Sequence, residues 1–144
     1  MPNHERTTTE TTLERLPVEL RAALQERIES ALLTVPADAR AFLTEGEHDV
    51  AFVIGPRDLL VAVGEKERGS SVLLARLEDL ELGSLTAALR ARGLDVPDDG
   101  GVDVTGFHVS GPDGGPGTYH IGLGAPDGDA ARAALEDAIR AAKA

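Results

Sequence analysis

The residues of this chain best placed to do chemistry are two histidines, His108 and His120, in the two arms of a predicted hairpin. If that hairpin is symmetric about Gly114, the two imidazoles lie directly opposite each other. Opposed residues of paired strands have Cβ atoms ~4.5–5.5 Å apart, and imidazole is a common ligand of zinc, nickel and copper. The pair is therefore a candidate metal site, with Asp103 as the one third ligand that we can suggest.

A solvated polar face is the other interpretation of the same pair. Alternation along the strands places Thr118 and Ser110 beside the histidines, and the following apolar set on the opposite face: Phe107, Val109, Tyr119, Ile121 and Leu123. Two imidazoles without a firm third ligand make an incomplete metal site, and an asymmetric turn would separate them. We therefore predict no cofactor and keep the metal site as the alternative.

No other residue pattern predicts catalysis or phosphate binding. The glycines of 111–117 fit neither the P-loop nor the dinucleotide-binding pattern, and the sequence contains no nucleophile elbow. The aspartates between Arg92 and Arg132 lack the spacing of an EF-hand. The absence of cysteine excludes disulfides, thiolate catalysis and cysteine-ligated metals. The sequence thus favours a protein that is not an enzyme.

The charge of the chain limits its partners. With 25 acidic and 14 basic residues, the net charge is −11, which disfavours contact with nucleic acid phosphates or with an anionic membrane. A basic protein partner is compatible with it. No apolar run reaches the ~18 residues of a membrane span, and the first twelve residues lack the apolar segment of a signal peptide. We expect a cytoplasmic protein.

Two hairpins are the clearest structural signal. Residues 51–64 and 106–124 each show a strand, a turn that begins Gly-Pro, and a second strand. Residues 1–12 are rich in threonine and charge and predict a disordered tail. Residues 13–144 are expected to form a single domain.

A first helix is expected to begin near Leu16-Pro17 and to end at Val35-Pro36. Its apolar residues recur at helical spacing: Leu13, Leu16, Leu20, Leu24, Ile28, Leu32 and Val35. This stripe is long for a domain with few other helices. We therefore predict that Leu16, Leu20, Leu24 and Ile28 form part of a homodimer interface. Residues 37–43 suggest a short second helix.

The segment 70–82 fits two structures. A strand would place Leu73, Ala75 and Leu77 on one face, whereas a helix would align Leu73, Leu74, Leu77 and Leu80. The turn-forming residues before it favour the strand. Further helices are expected over 84–92, and from Asp127 or Asp129 to about Ala142.

The predicted fold is α+β, with two layers, a mostly antiparallel sheet, helices on one face, and the order α-βββ-α-ββ-α. A helical segment 70–82 would change this order to α-ββ-α-ββ-α. The chain resembles the type III secretion chaperone-like fold in its leucine-rich helices at 17–35 and 84–92, its Gly-Pro-Asp-Gly turn at 111–114, and a C-terminal helix from about 129. If 70–82 is helical, the layout is instead similar to Roadblock-like scaffolds.

Both resemblances imply a small homodimer that works by binding another protein. We therefore predict a non-enzymatic protein-binding module, with chaperone-like or scaffold function. Two alternatives are a small-molecule or metal-binding protein that uses His108 and His120, and an acidic inhibitor or immunity-type protein that neutralises a basic partner.

Overall fold

The computed structural model describes residues 6–46, 48–65, 69–83, 92–93, 102–108 and 116–144. Its elements, in chain order, are β1 (Thr7–Thr12), a 3-10 turn (Leu13–Arg15), α1 (Val18–Ser30), β2 (Arg40–Glu45), β3 (Val50–Ile54), β4 (Asp58–Glu65), β5 (Gly69–Arg76), a second 3-10 turn (Leu77–Asp79), β6 (Glu81–Gly83), β7 (Val102–His108), β8 (Pro116–Ile121), β9 (Ala125–Pro126) and α2 (Gly128–Lys143).

The strands form two sheets. The large sheet has the order β5-β4-β3-β2-β1-β9, and the second sheet has the order β6-β7-β8. All pairs are antiparallel except β1 with β9. This confirms the predicted α+β class.

The two faces of the large sheet are covered by different elements. Along β3 and β4, Ala51, Val53, Leu60 and Ala62 pack on α1. The intervening Phe52, Leu59 and Val61 pack against the second sheet and α2. The helices therefore lie on opposite faces, and the expectation of two layers with helices on one face is wrong. Strands covered on both faces need nearly continuous apolar sequence, as β3 and β4 have.

Two predictions near the N-terminus are wrong. Residues 7–12 of the predicted tail form β1, which pairs with β2 at every position from Thr7 to Thr12. The predicted short helix over 37–43 is replaced by β2 from Arg40 onward. β-branched threonines suit a strand, and Phe42 of β2 stacks on Phe52 of β3 with ring centroids 5.2 Å apart.

The other elements match the sequence more closely. Helix α1 begins after Pro17 as expected but ends at Ser30 rather than at Val35. The strand interpretation of 70–82 is confirmed, with β5 followed by a 3-10 turn and the short β6. Helix α2 begins at Gly128, directly after Asp127. The predicted helix over 84–92 and the hairpin tip lie almost entirely outside the described residues.

Candidate functional site

The register of the β7–β8 hairpin separates the two histidines. His120 lies opposite Asp103, and His108 lies opposite Pro116. The predicted opposition of His108 and His120 is therefore wrong. Metal binding by this pair stays a prediction from sequence, without the opposed geometry that motivated it. No group of three His, Asp or Glu residues within the described segments could hold a metal ion.

A bulge at Gly106 contributes to this register. The pairing shifts between Thr105 and Phe107, and Gly106 has a φ of 131°, a conformation that side chains with a Cβ rarely adopt. A Cβ at this position would lie 2.5 Å from the backbone oxygen of Asp79. The 3-10 turn therefore approaches β7 so closely that only glycine fits.

His120 is paired with the carboxylate that the sequence suggested as a third ligand. Its Nδ1 lies 2.8 Å from Oδ1 of Asp103, and the side chains are 43% and 17% exposed, respectively. On the same face, the hydroxyls of Thr105 and Thr118 are 2.7 Å apart. A carboxylate on Nδ1 orients an imidazole for proton transfer, but the described part of this face offers no serine beside it. We interpret these contacts as cross-strand pairs that stabilise the hairpin.

The predicted interface residues lie in the core. Leu16, Leu20, Leu24 and Ile28 are at most 8% exposed and belong to the cluster between α1 and the large sheet. Helix α1 packs on β4 and β5. These four side chains are thus covered by the chain's own sheet, and the prediction that they face a partner is wrong.

The end of α1 has an unusual residue at a standard capping position. Leu33 N–H donates to Ile28 C=O at 2.9 Å, and Leu32 N–H donates to Glu29 C=O at 3.2 Å. This pair of bonds is the Schellman ending, in which glycine normally occupies the left-handed position. Here that position is Leu32, with a φ of 57°. Its side chain is 91% exposed, whereas the sequence periodicity predicts it to be buried.

Leu32 lies at the rim of a cavity of about 750 Å³, which we call the Leu32 cleft. The cleft is lined by Leu32, Leu33, Thr34, Pro56, Arg57, Asp58, Arg76, Glu78 and Ala142. These residues come from the segment after α1, the β3–β4 turn with the first residue of β4, the end of β5 with the 3-10 turn that follows it, and the last turn of α2. Four separate parts of the chain therefore converge on one depression, which no sequence pattern predicts.

The charged residues of the cleft differ in their pairing. Arg76 lies 3.5 Å from Glu78, with both side chains more than half exposed. The side chain of Arg57 is exposed and makes no ion pair or hydrogen bond within the part of the chain that the structure describes. A guanidinium in this position is available to a carboxylate from outside.

Comparison of the chain with protein family models, with curated proteins and with solved structures gives no match. Among the described residues, no helix is long and apolar enough to cross a membrane.

Proposed function

We propose that this protein is a non-enzymatic protein-binding module that contacts its partner through the Leu32 cleft. The observation that carries this proposal is Leu32 itself, an almost fully exposed leucine held in a left-handed backbone conformation. Strained, exposed residues of this kind cluster at binding sites.

Folding alone does not favour leucine at this position. The left-handed conformation costs a residue with a Cβ about 1–2 kcal/mol. Because the Leu32 side chain is 91% exposed, its burial contributes almost no hydrophobic stabilisation in return. The apolar contact that accompanies a Schellman ending is already supplied by Leu33 and Ile28, which share one core cluster. A partner that buries Leu32 would recover about 1.5–3 kcal/mol.

The cleft also indicates the chemistry of the partner. Arginine is enriched among the residues that dominate binding energy, and Arg57 lies within the same cleft as Leu32. We expect the partner to present an apolar pocket for Leu32 and a carboxylate for Arg57. A volume of about 750 Å³ is in the range of clefts that bind ligands.

The resemblance to type III secretion chaperones supports the same class of function, since it also implies a small acidic protein that binds other proteins. Together with this function, we propose that the protein is cytoplasmic.

The experiment is site-specific photo-crosslinking in the native host, followed by titration of the captured partner. A photoreactive residue at position 32 is expected to capture one defined protein. The same residue at Val18, a 65% exposed apolar position at the other end of α1, is the matched control and should not capture it.

Leu32→Gly should then weaken binding of the purified partner at least tenfold, which corresponds to 1.4 kcal/mol. The same variant should raise the free energy of unfolding by about 0.5–1 kcal/mol, because glycine tolerates the left-handed backbone. Unchanged affinity of Leu32→Gly, or equal capture from positions 18 and 32, would show that the cleft is not the binding site.

A further inference from the structure

Strand β5 forms one edge of the large sheet. It pairs with β4 at eight successive positions, from Asp58 opposite Arg76 to Glu65 opposite Gly69. On its other side, the described segments of the chain supply no strand. Every second residue of β5 therefore directs its backbone N–H and C=O away from β4.

The other sheet edges carry features that discourage pairing with a further strand, and β5 does not. Strand β9 has two residues, one of them Pro126, and β6 has three residues and begins with Glu81. Strand β8 begins with Pro116. By contrast, β5 has eight residues, no proline, and no charge from Gly69 to Ala75. Long uncharged edges are templates for another strand, and stable proteins cover or charge them.

The side chains of β5 are incompletely covered on both faces. Val72, Leu73 and Leu74 are half-buried, although the residues opposite them in β4 are fully buried. Val72 and Leu74 pack on the α1 side of the sheet, whereas Leu73 packs on the other side. A strand added along β5 would remove apolar surface from water on both faces. It would also form hydrogen bonds with the outward-facing backbone N–H and C=O groups of β5.

We propose that a second copy of the chain occupies this edge, with the two β5 strands antiparallel about a twofold axis at Leu73. In that arrangement Leu73 lies opposite Leu73 of the second copy, Val72 opposite Leu74, and Arg76 opposite Ser70. No like charges face each other, and Val72, Leu73 and Leu74 each meet an apolar residue, as stable cross-strand pairs require, while Ala75 lies opposite Ser71. A twofold contact of this kind uses the same surface on both copies.

The net charge favours β5 over other surfaces for such a contact. Two copies with a charge of −11 each repel each other. An interface between them must therefore bury uncharged surface, and it must not place acidic groups opposite each other. Seven consecutive uncharged residues, Gly69 to Ala75, provide this. The dimer goes beyond the proposed partner-binding function and does not depend on it.

The chain has no cysteine, so single-cysteine variants report contacts without background. Leu73→Cys is expected to give a covalent dimer of the full chain on oxidation or with a short bifunctional thiol reagent. In Ser71→Cys, the two thiols would lie four residues apart along the paired strands, or about 14 Å. This more exposed matched variant should remain uncrosslinked. Light scattering of the unmodified protein should give twice the chain mass of 15.1 kDa.

Leu73→Lys places two charges at the axis and should return the mass to that of a single chain, with the circular dichroism spectrum unchanged. Cross-linking of Leu73→Cys supports the dimer even if the lysine variant fails to fold. A wild-type protein that stays monomeric would overturn the proposal, and so would a dimer that cross-links no better through position 73 than through position 71. Binding of an unrelated extended peptide to a monomeric protein would assign the edge to a different partner.

Discussion

Buried threonine hydroxyls in β1 differ in what they contact. Thr8 Oγ1 lies 2.8 Å from Thr44 Oγ1 and accepts a hydrogen bond from the N–H of Gly124 at 2.8 Å. Thr12 Oγ1 is also buried, but no hydrogen-bond partner is found for it among the described atoms. The two residues have the same side chain in the same strand and therefore make a controlled comparison.

Thr8→Val is expected to lower the free energy of unfolding by about 1–3 kcal/mol, because it leaves the Thr44 hydroxyl and the Gly124 N–H without a partner. Thr12→Val keeps the shape and removes an unsatisfied hydroxyl, so stability should be unchanged or rise by up to ~1 kcal/mol. Urea unfolding of the two variants measures both effects. Equal losses would mean that the hydrogen bonds of Thr8 contribute nothing beyond packing.

For single residues, the sequence predicts which side chains are buried better than it predicts which elements cover them. Leu20 and Leu24 are buried, as helical periodicity indicates, but they are covered by β4 and β5 rather than by a partner. Leu32 continues the same period and is exposed, because α1 ends two residues before it. Periodicity reports which side of an element is apolar and cannot report what covers it.

Among the secondary structure elements, strand pairing depends on contacts that are distant in sequence. The β7–β8 register includes the bulge at Gly106, and the bulge fits against Asp79, which belongs to the turn after β5. A symmetric hairpin about Gly114 is the simplest expectation from local turn residues. The bulge changes the pairing by one residue, whereas His108 lies opposite Pro116, four residues before His120 (120 − 116). The contact with Asp79 is not visible in the local pattern, but it does not by itself account for the wrong prediction that His108 and His120 are opposed.

Gly106→Ala is expected to destabilise the fold strongly, by about 2 kcal/mol or more, because a Cβ would meet backbone 2.5 Å away at a φ of 131°. Gly83→Ala in β6 is the matched control, since a Cβ there would meet nothing within 4 Å. Its effect should stay within ~0.5 kcal/mol. Thermal unfolding of both variants measures these effects. A Gly106→Ala protein as stable as wild type would refute the close approach of Gly106 to the backbone of Asp79.

Elements with strong local preferences were predictable, and elements held by distant contacts were not. The β-branched runs of β3 and β4 and the Pro17 start of α1 carry their own signal. Strand β1 has β-branched threonines but no apolar pattern of its own, and its polar sequence is ordered by β2 and by Asp127. The carboxylate of Asp127 accepts a 2.8 Å hydrogen bond from the N–H of Glu10, 117 residues away in sequence.

At the scale of the whole molecule, three layers place the large sheet between α1 on one side and the second sheet with α2 on the other. This arrangement leaves the acidic residues outside the two core clusters. The ion pairs seen between described residues are mainly at the surface, such as Arg140 with Asp137, whose side chains are both 75% exposed. Exposed pairs of this kind contribute little to stability. They therefore do little to offset the electrostatic repulsion that a net charge of −11 produces.

Melting temperature is therefore expected to rise with sodium chloride between ~10 and ~150 mM, where the screening length falls from about 30 to 8 Å. Screening weakens repulsion among acidic groups that folding brings closer together. Glu26→Lys changes an exposed position on α1 and reduces the net charge to −9 (−11 plus 2), so it should raise the melting temperature in low salt and flatten the salt response. Differential scanning calorimetry of wild type and variant tests this. An equally steep response in Glu26→Lys would assign the salt effect to something other than charge repulsion.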